Sequence, residues 1–462
     1  MQASLSWKPR FKTGNSPQNL PRTTNARVKG LGLIAPYFVA AFVFSSALFA
    51  ASAERRFDFA DYRQPDFFPI LPWDPLHGWD GKATERDVNG LESIAECHFN
   101  FAGFVLAKDL GKCRKLGLAA IVLPEHDALV SGNDRKNWRN LSDEEIEAKV
   151  KVLVKSAGSN PAVKGFFIMD EPSVKDFAAL GKAVAAVKKQ APGKLAYINL
   201  FPDYATLGAP DISQLGTSNY TEYLERFVSE VKPQVLSYDN YSIQYSDDLK
   251  KSDVGASYFK NLLEVRRIGQ KYHLPFLQIV ASNQLRPGHP IPSPANLLLQ
   301  AYTTLAAGYR GVTWYTYYAR GYKHAPIDAA GQRTVTWAYL QEVNRQVAML
   351  APILSRLTST GVYFTEPAPA SGLPPGPGNV FEKVNSTTPL MLGEFSGRAG
   401  ENYMMIVNLS LERSANFTVS TKASGQALQE VSVIDGKLRP FQPGKDGFWL
   451  LAGQGVLLRL GP

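Results

Sequence analysis

Two cysteines, Cys97 and Cys113, are all that a chain of 462 residues contains. A fold of this size does not rest on a disulfide framework. The pair can form one bridge in an oxidising compartment or lie as two buried thiols. A metal centre on Cys97, His98 and Cys113 would lack a fourth ligand. Histidine is also scarce, and His126, His273, His289 and His324 are scattered with no His-x-x-x-His spacing, so no metal is expected. No Gly-x-Ser-x-Gly elbow is present to carry a nucleophilic serine. No glycine-rich phosphate loop follows an early strand, no internal repeat is visible, and no cofactor is expected.

Acidic residues are missing from residues 1–53, which hold Lys8, Arg10, Lys12, Arg22, Arg27 and Lys29. The formal charge of +9 therefore sits mostly in this segment, because the rest carries 44 basic against 41 acidic side chains. That balance gives no basic face for nucleic acid, and no nucleic-acid partner is expected. The basic stretch ends at Lys29, and an apolar run follows from Leu31 to Ala53. It closes on Ala51-Ser52-Ala53, with Glu54-Arg55-Arg56 after it. This is the pattern of a secretory signal peptide cleaved after Ala53. The expected location is therefore secreted or periplasmic. The run is also just long enough for an uncleaved anchor. No later segment is apolar enough to span a bilayer, so no stable membrane insertion is expected after cleavage.

Beyond residue 60, apolar β-prone runs alternate with helix-patterned stretches, which implies a parallel sheet. Eight strands are read at Phe67–Trp73, Phe99–Leu106, Ala119–Leu123, Val163–Met169, Leu195–Leu200, Gln234–Tyr238, Phe276–Ala281 and Gly311–Tyr315. Ser142-Asp143-Glu144-Glu145 is a capping box opening the third helix. Pro172 and Ser173 open the fourth, whose apolar face is Phe177, Leu180, Val184 and Val187. Leu224, Phe227, Val228 and Val231 mark the fifth, and Val343, Val347 and Leu350 the eighth. Eight strand–helix pairs are the content of a (β/α)8 TIM barrel, here assigned to residues 54–358. An open doubly wound sheet is the rival architecture. Residues 359–378 read as a Pro/Gly-rich linker or loop. Residues 379–462 read as a small C-terminal antiparallel β-sandwich, with strands at Leu390–Phe395, Tyr403–Leu409, Ala415–Ser420, Leu428–Val433 and Phe448–Leu460.

Reactive residues in such a barrel lie at the C-terminal ends of its strands. Polar and aromatic residues there include Trp73 and Asp74, Lys108 and Asp109, Glu125 and His126, Asp170 and Glu171, Asn199 and Asp203, and Asp239 and Asn240. After strands seven and eight come Gln278, Ser282 and Asn283, then Trp314, Tyr315 and Tyr317. Several carboxylates and aromatics thus share one rim. Glycosidic cleavage needs a carboxylic acid to protonate the leaving oxygen and a second carboxylate as nucleophile or base. Sugar rings also stack on Trp and Tyr. Glu171, between an apolar strand and a new helix, is the first catalytic candidate and Asp239 the second. Asp74, Trp73, Asp170, Asn199, Tyr238, Gln278, Trp314, Tyr315 and Tyr317 are the candidate substrate contacts, with Trp79 a further platform. The bland alternatives are a helix-capping Glu171, an Asp239 holding loop amides, and aromatics that only pack.

The run Gly165-Phe166-Phe167-Ile168-Met169-Asp170-Glu171-Pro172 resembles the fourth-strand motif of barrel glycoside hydrolases. With Tyr197–Tyr204 and Val235–Asp239 it is similar to secreted β-galactosidase-like members of clan A, such as glycoside hydrolase family 42. The similarity extends over residues 65–355 and implies that Glu171 is the acid/base. Two departures are plain. Asp170 stands where the clan has Asn, and strand seven, Phe276 to Asn283, has no carboxylate where the clan has its nucleophile. The second carboxylate has then moved, with Asp239 its replacement, or the mechanism is not that of clan A. A fourth- and sixth-strand pair is also the arrangement of barrel α-galactosidases. The expected partner is a carbohydrate substrate. Two rivals remain open, a non-catalytic carbohydrate-binding barrel and a barrel hydrolase that uses a metal.

Overall fold

The computed structural model describes residues 66–73, 90–124, 138–242, 252–287, 291–422 and 427–461. The leader, Asp74, Trp79, Glu125, His126 and His289 lie outside them. Among the described residues no helix is long and apolar enough to cross a membrane.

Eight strands form one parallel sheet: β1 (Ile70–Pro72), β2 (Phe101–Val105), β3 (Ala119–Val122), β4 (Val163–Asp170), β5 (Leu195–Leu200), β6 (Leu236–Asp239), β7 (Phe276–Ala281) and β8 (Val312–Tyr315). The hydrogen-bonded order runs β1-β8-β7-β6-β5-β4-β3-β2. A side chain helps close the ring between β1 and β2. Asn100 Oδ1 accepts from Ile70 N at 2.7 Å, and its Nδ2 donates to Phe68 O at 2.9 Å. The Asn100 backbone N–H donates to Ile70 O at 3.2 Å. A buried amide thereby takes the place of ladder bonds that would otherwise go unmade.

The helices are α1 (Leu91–Glu96), α2 (Leu110–Lys115), α3 (Asp143–Ala157), α4 (Phe177–Gln190), α5 (Tyr220–Arg226, extended to residue 231 by a π turn), α6 (Ser252–Lys271), α7 (Pro294–Ala306) and α8 (Val335–Leu354). The Ser142 box opens α3 as the sequence implies: Glu145 N donates to Ser142 Oγ at 3.2 Å, and Ser142 N to Glu145 Oε2 at 2.7 Å. Phe177, Leu180, Val184 and Val187 bury one stripe of α4 against the sheet. Cys97, at the end of α1, and Cys113, within α2, are buried free thiols. Burial pushes the Cys113 thiol up to about 12, which keeps it protonated and inert.

Alternation along each strand sorts side chains into two cores. Leu71, Trp73, Phe104, Ile121, Phe167, Tyr197, Leu277 and Ile279 fill the lumen. Their neighbours in sequence, such as Ile70, Phe166, Ile198 and Val280, pack outward under the helices.

The chain then forms the sandwich. One sheet has the order β15-β14-β17-β12-β11-β9 and the other β10-β13-β16. The strands are β9 (Thr358–Phe364), β10 (Phe381–Ser386), β11 (Leu390–Ser396), β12 (Asn402–Asn408), β13 (Ala415–Thr421), β14 (Leu428–Val431), β15 (Leu438–Pro440), β16 (Phe448–Leu450) and β17 (Gly455–Leu460). Three readings of the sequence change here. The stretch 359–378 is not linker throughout, because β9 pairs antiparallel with β11. Its Pro/Gly-rich part, from residue 367, does lie outside strands. Phe448–Leu460 is two strands, parted by a turn with Gly453 at φ 72°. β10 and β15 are strands too polar to stand out in the sequence.

Candidate active site

At the C-terminal ends of β4, β5 and β6 three lumen-facing polar residues meet. Asn199, 1% exposed on β5, donates from its one amide nitrogen to Asp170 Oδ1 at 3.1 Å and to Asp239 Oδ1 at 2.9 Å. Two bonds to a single nitrogen hold those carboxylate oxygens within roughly 6 Å of each other. Behind them Ser237 donates to Asn199 Oδ1 at 3.1 Å, and the Ser237 and Tyr197 hydroxyls lie 2.8 Å apart. Trp73 closes the floor, 5.5 Å from the Tyr197 ring and 4.5 Å from that of Phe104.

Strand register puts Asp170 there. Ile168 and Met169 both face the outer core, and the β4–β5 pairing shifts register between Phe167 and Met169. This bulge inverts the alternation, so that Asp170 faces inward where a regular strand would turn it out. The Ile168 carbonyl accepts from the Trp138 indole at 3.0 Å.

Glu171 follows at once in a left-handed conformation, φ 45°, while its N–H still donates to Asn199 O at 2.9 Å. Glutamate reaches this region only at a cost of about 1–2 kcal/mol, and such costs concentrate at functional positions. Asp170 and Glu171 are partly exposed, whereas Asp239 is 4% exposed behind them. Burial raises the Asp239 carboxyl well above the ordinary carboxylate range, and the charges of Glu171 and then Asp170 push the same way. The cluster thus tends to retain a proton where isolated carboxylates would have lost theirs.

That raised value has a stability consequence. The folded state holds a proton on Asp239 that the unfolded chain releases near pH 4. The stabilising contribution is complete below that pH and is lost as pH rises through the folded value. Asp239→Asn keeps the oxygen that accepts from Asn199 and removes the titration. Its Tm at pH 7–8 should exceed the wild type's by several degrees, with a flatter Tm–pH profile. Melts of the two proteins that stay parallel from pH 4 to 8 would refute this origin of the shift.

An aromatic rim overlooks the cluster. The rings of Tyr241 and Tyr315 stack with centroids 5.4 Å apart, and the hydroxyls of Tyr315 and Tyr322 lie 3.0 Å apart. Tyr204, beside them, is 52% exposed. Among the described residues no group of His, Cys, Asp and Glu is arranged to hold a metal ion.

Of the residues singled out in the sequence, Asp170, Glu171, Asn199, Asp239, Trp73 and Tyr315 come together here. Four others do not. Tyr238 is fully buried and faces Tyr309, whose hydroxyl lies 3.3 Å from its own. Gln278 accepts from Thr304 of α7 at 2.7 Å. The Trp314 indole donates to Asn344 of α8 at 2.9 Å. Tyr317 meets the Ser93 hydroxyl at 2.8 Å and the Trp337 indole at 2.9 Å. Tyr238, Gln278 and Trp314 each stand one residue from a lumen-facing neighbour, and the pleat turns them out. Ser237, Tyr197, Tyr241 and Tyr322 also stand here, outside the candidates that the sequence offers. For Ser237 and Tyr197 the strand alternation was the available signal.

No family model matches the chain, and no curated protein matches it. Solved structures do. A catalytic mutant of a GH42 β-galactosidase from G. stearothermophilus aligns over 86% of this chain and 98% of its own, at 8% identity and TM-score 0.57. An α-amylase from Geobacillus thermoleovorans complexed with acarbose aligns over 87% and 99%, at 11% identity and TM-score 0.51. A further structure described as a glycoside hydrolase aligns over 86% and 92%, at 12% identity and TM-score 0.50. At such identities the likeness is one of fold, a TIM barrel followed by a β-sandwich.

Proposed function

We propose that this chain is a secreted glycoside hydrolase that cleaves glycosidic bonds of an oligo- or polysaccharide, with Glu171 as proton donor and Asp239 as second carboxylate. The observation that carries the reading is the Asp170–Asn199–Asp239 bridge beside a strained, partly exposed Glu171. It gathers three carboxyl groups at the strand ends where barrel chemistry is done. A glycosidase needs one carboxyl protonated and one ionised at the same pH. The three close carboxyls together retain a proton. Burial favours it on Asp239 in the free protein, and this reading requires it on Glu171, with Asp239 ionised, once substrate is bound. In this reading Glu171 delivers the proton to the leaving oxygen from the cleft side. Tyr241, Tyr315 and Tyr204 offer faces to sugar rings. The solved structures of similar fold are named for glycoside hydrolysis, one of them with acarbose bound. The leader ending at Ala53 supports export.

A second reading is a non-catalytic carbohydrate-binding barrel, and one observation favours it: β7 ends at Ala281, and Ser282 and Asn283 follow, with no carboxylate. One screen separates the two. The full chain is incubated with aryl glycosides and with plant, algal and bacterial polysaccharides, and both turnover and binding are measured. The hydrolase reading expects turnover of at least one substrate, reduced in Glu171→Gln and in Asp239→Asn. Binding without turnover, or wild-type activity in both variants, would overturn it.

A further inference from the structure

A cavity of about 760 Å³ lies at the opposite end of the barrel, against the segments that lead into β1, β6, β7 and β8. The turn from α8 into β9 and the β11–β12 turn complete its wall. Its charge is of one sign. Lys188, Arg310, Arg356 and Arg398 line it, and no Asp or Glu does among the described residues. Arg310, Arg356 and Arg398 form no ion pair among the described residues, although most arginines of the barrel helices do. Arg266 stands just outside, donating to the lining Ser359 hydroxyl at 3.0 Å. Arg310 is partly buried and anchored at its backbone, where its N–H donates to Phe276 O at 3.0 Å. Burial, and then the nearby Arg398, pushes the Arg310 guanidinium below its usual range. Two guanidiniums that line one cavity, with no acidic residue in its described wall, repel each other unless an anion joins them.

We propose that this cavity binds a tetrahedral oxyanion, the phosphate or sulfate group of a small molecule, between Arg310 and Arg398. Guanidinium forks match such oxygens in pairs and are less strongly hydrated than lysine, which suits a half-buried site. The volume exceeds that of a bare ion and lies within the range of small-molecule pockets, roughly 300–1,000 Å³. Phe67, Leu274 and Phe276 supply apolar wall for the rest of the ligand. Because the site lies at the N-terminal ends of the strands, away from the carboxylate cluster, it does not depend on the hydrolase reading.

The test is calorimetry and thermal melting of the full chain with inorganic phosphate, inorganic sulfate, glucose 6-phosphate, glucose 6-sulfate and glucose, against sodium chloride at equal ionic strength. At least one of the oxyanions should bind saturably and raise Tm above the chloride control, while glucose alone should do neither. Arg310→Gln and Arg398→Gln should each weaken that binding about tenfold or more. Arg398 is on an exposed turn, so its variant reports even if Arg310→Gln fails to fold. A sugar ester that binds more tightly than the inorganic ions supports a phosphorylated or sulfated sugar as the ligand. Equal affinities support the free ion. No saturable binding beyond chloride, or unchanged affinity in Arg398→Gln, overturns the proposal.

Discussion

Glu171→Gln should lower kcat on a glycoside with a poor leaving group by about a thousandfold, within the 10²–10⁴ range of general acid catalysis. KM should change little. The amide keeps the size and the left-handed backbone of Glu171 and loses only the proton. The dependence on leaving group is the sharper readout. A nitrophenolate departs without protonation, so the loss on an activated aryl glycoside should be far smaller than on a natural sugar linkage. The alkaline limb of the pH–rate profile should disappear with the carboxyl. An equal loss on both kinds of substrate would move Glu171 from proton donor to a binding or positioning role. Glu171→Gly separates charge from strain. It removes the acid as Gln does, but it also adopts φ 45° freely. It should therefore melt above Glu171→Gln, by a fraction of a kcal/mol to about 1 kcal/mol once glycine's own entropy cost is counted. Equal melting temperatures would mean that the surrounding barrel already compensates the strain.

The barrel was legible because its strands are continuous apolar runs. β5 and β7 begin and end where the sequence reading has them, at Leu195–Leu200 and Phe276–Ala281. Such runs show that both faces are covered but hide which face is which. Hence Tyr238, Gln278 and Trp314 read as site residues in the sequence although each points outward. Polar residues break that silence. Ser237 and Asp239 are two apart on β6, as are Tyr197 and Asn199 on β5, and period 2 puts each pair on one face. The β4 bulge breaks the same rule, so strict alternation could not have placed Asp170 in the lumen. The aromatic rim was only partly legible. Tyr241 and Tyr322 lie in loops, where no periodicity fixes direction. In the sandwich, β12 carries a further signal: Tyr403 through Val407 is apolar at every position. A surface sandwich would alternate, so the run implies a sheet covered on both sides. Met404 and Ile406 face the sandwich core, and Tyr403, Met405 and Val407 join the core of the barrel.

The second large effect is expected at that seam. Gly393→Ala should destabilise the protein by about 1–3 kcal/mol or more, the usual range for overpacking. β11 lies on the end of α7, and a Cβ built on Gly393 would stand 2.0 Å from the carbonyl oxygen of Ala306 and 2.8 Å from its Cα. Both obstacles are backbone, so no rotamer change relieves them, and sheet and helix have to move apart. The separation would propagate, because Gly455 meets the Tyr302 ring and Gly453 the Ala295 carbonyl at comparably short range. All three glycines let one helix of the barrel lie against one sheet. Met391, Phe395, Met405 and Leu457, which share the barrel's core, would lose contact along with them. Gly111→Ala supplies the control. It lies in α2, exposed, with nothing within 4 Å of the added carbon. Alanine there should stabilise by about 0.5–1 kcal/mol, through lower unfolded-state entropy and better helix propensity. Denaturant melts of the two variants should therefore shift in opposite directions. A Gly393→Ala midpoint equal to the wild type's would mean that the barrel and the sandwich do not pack as closely as β11 and α7 do here.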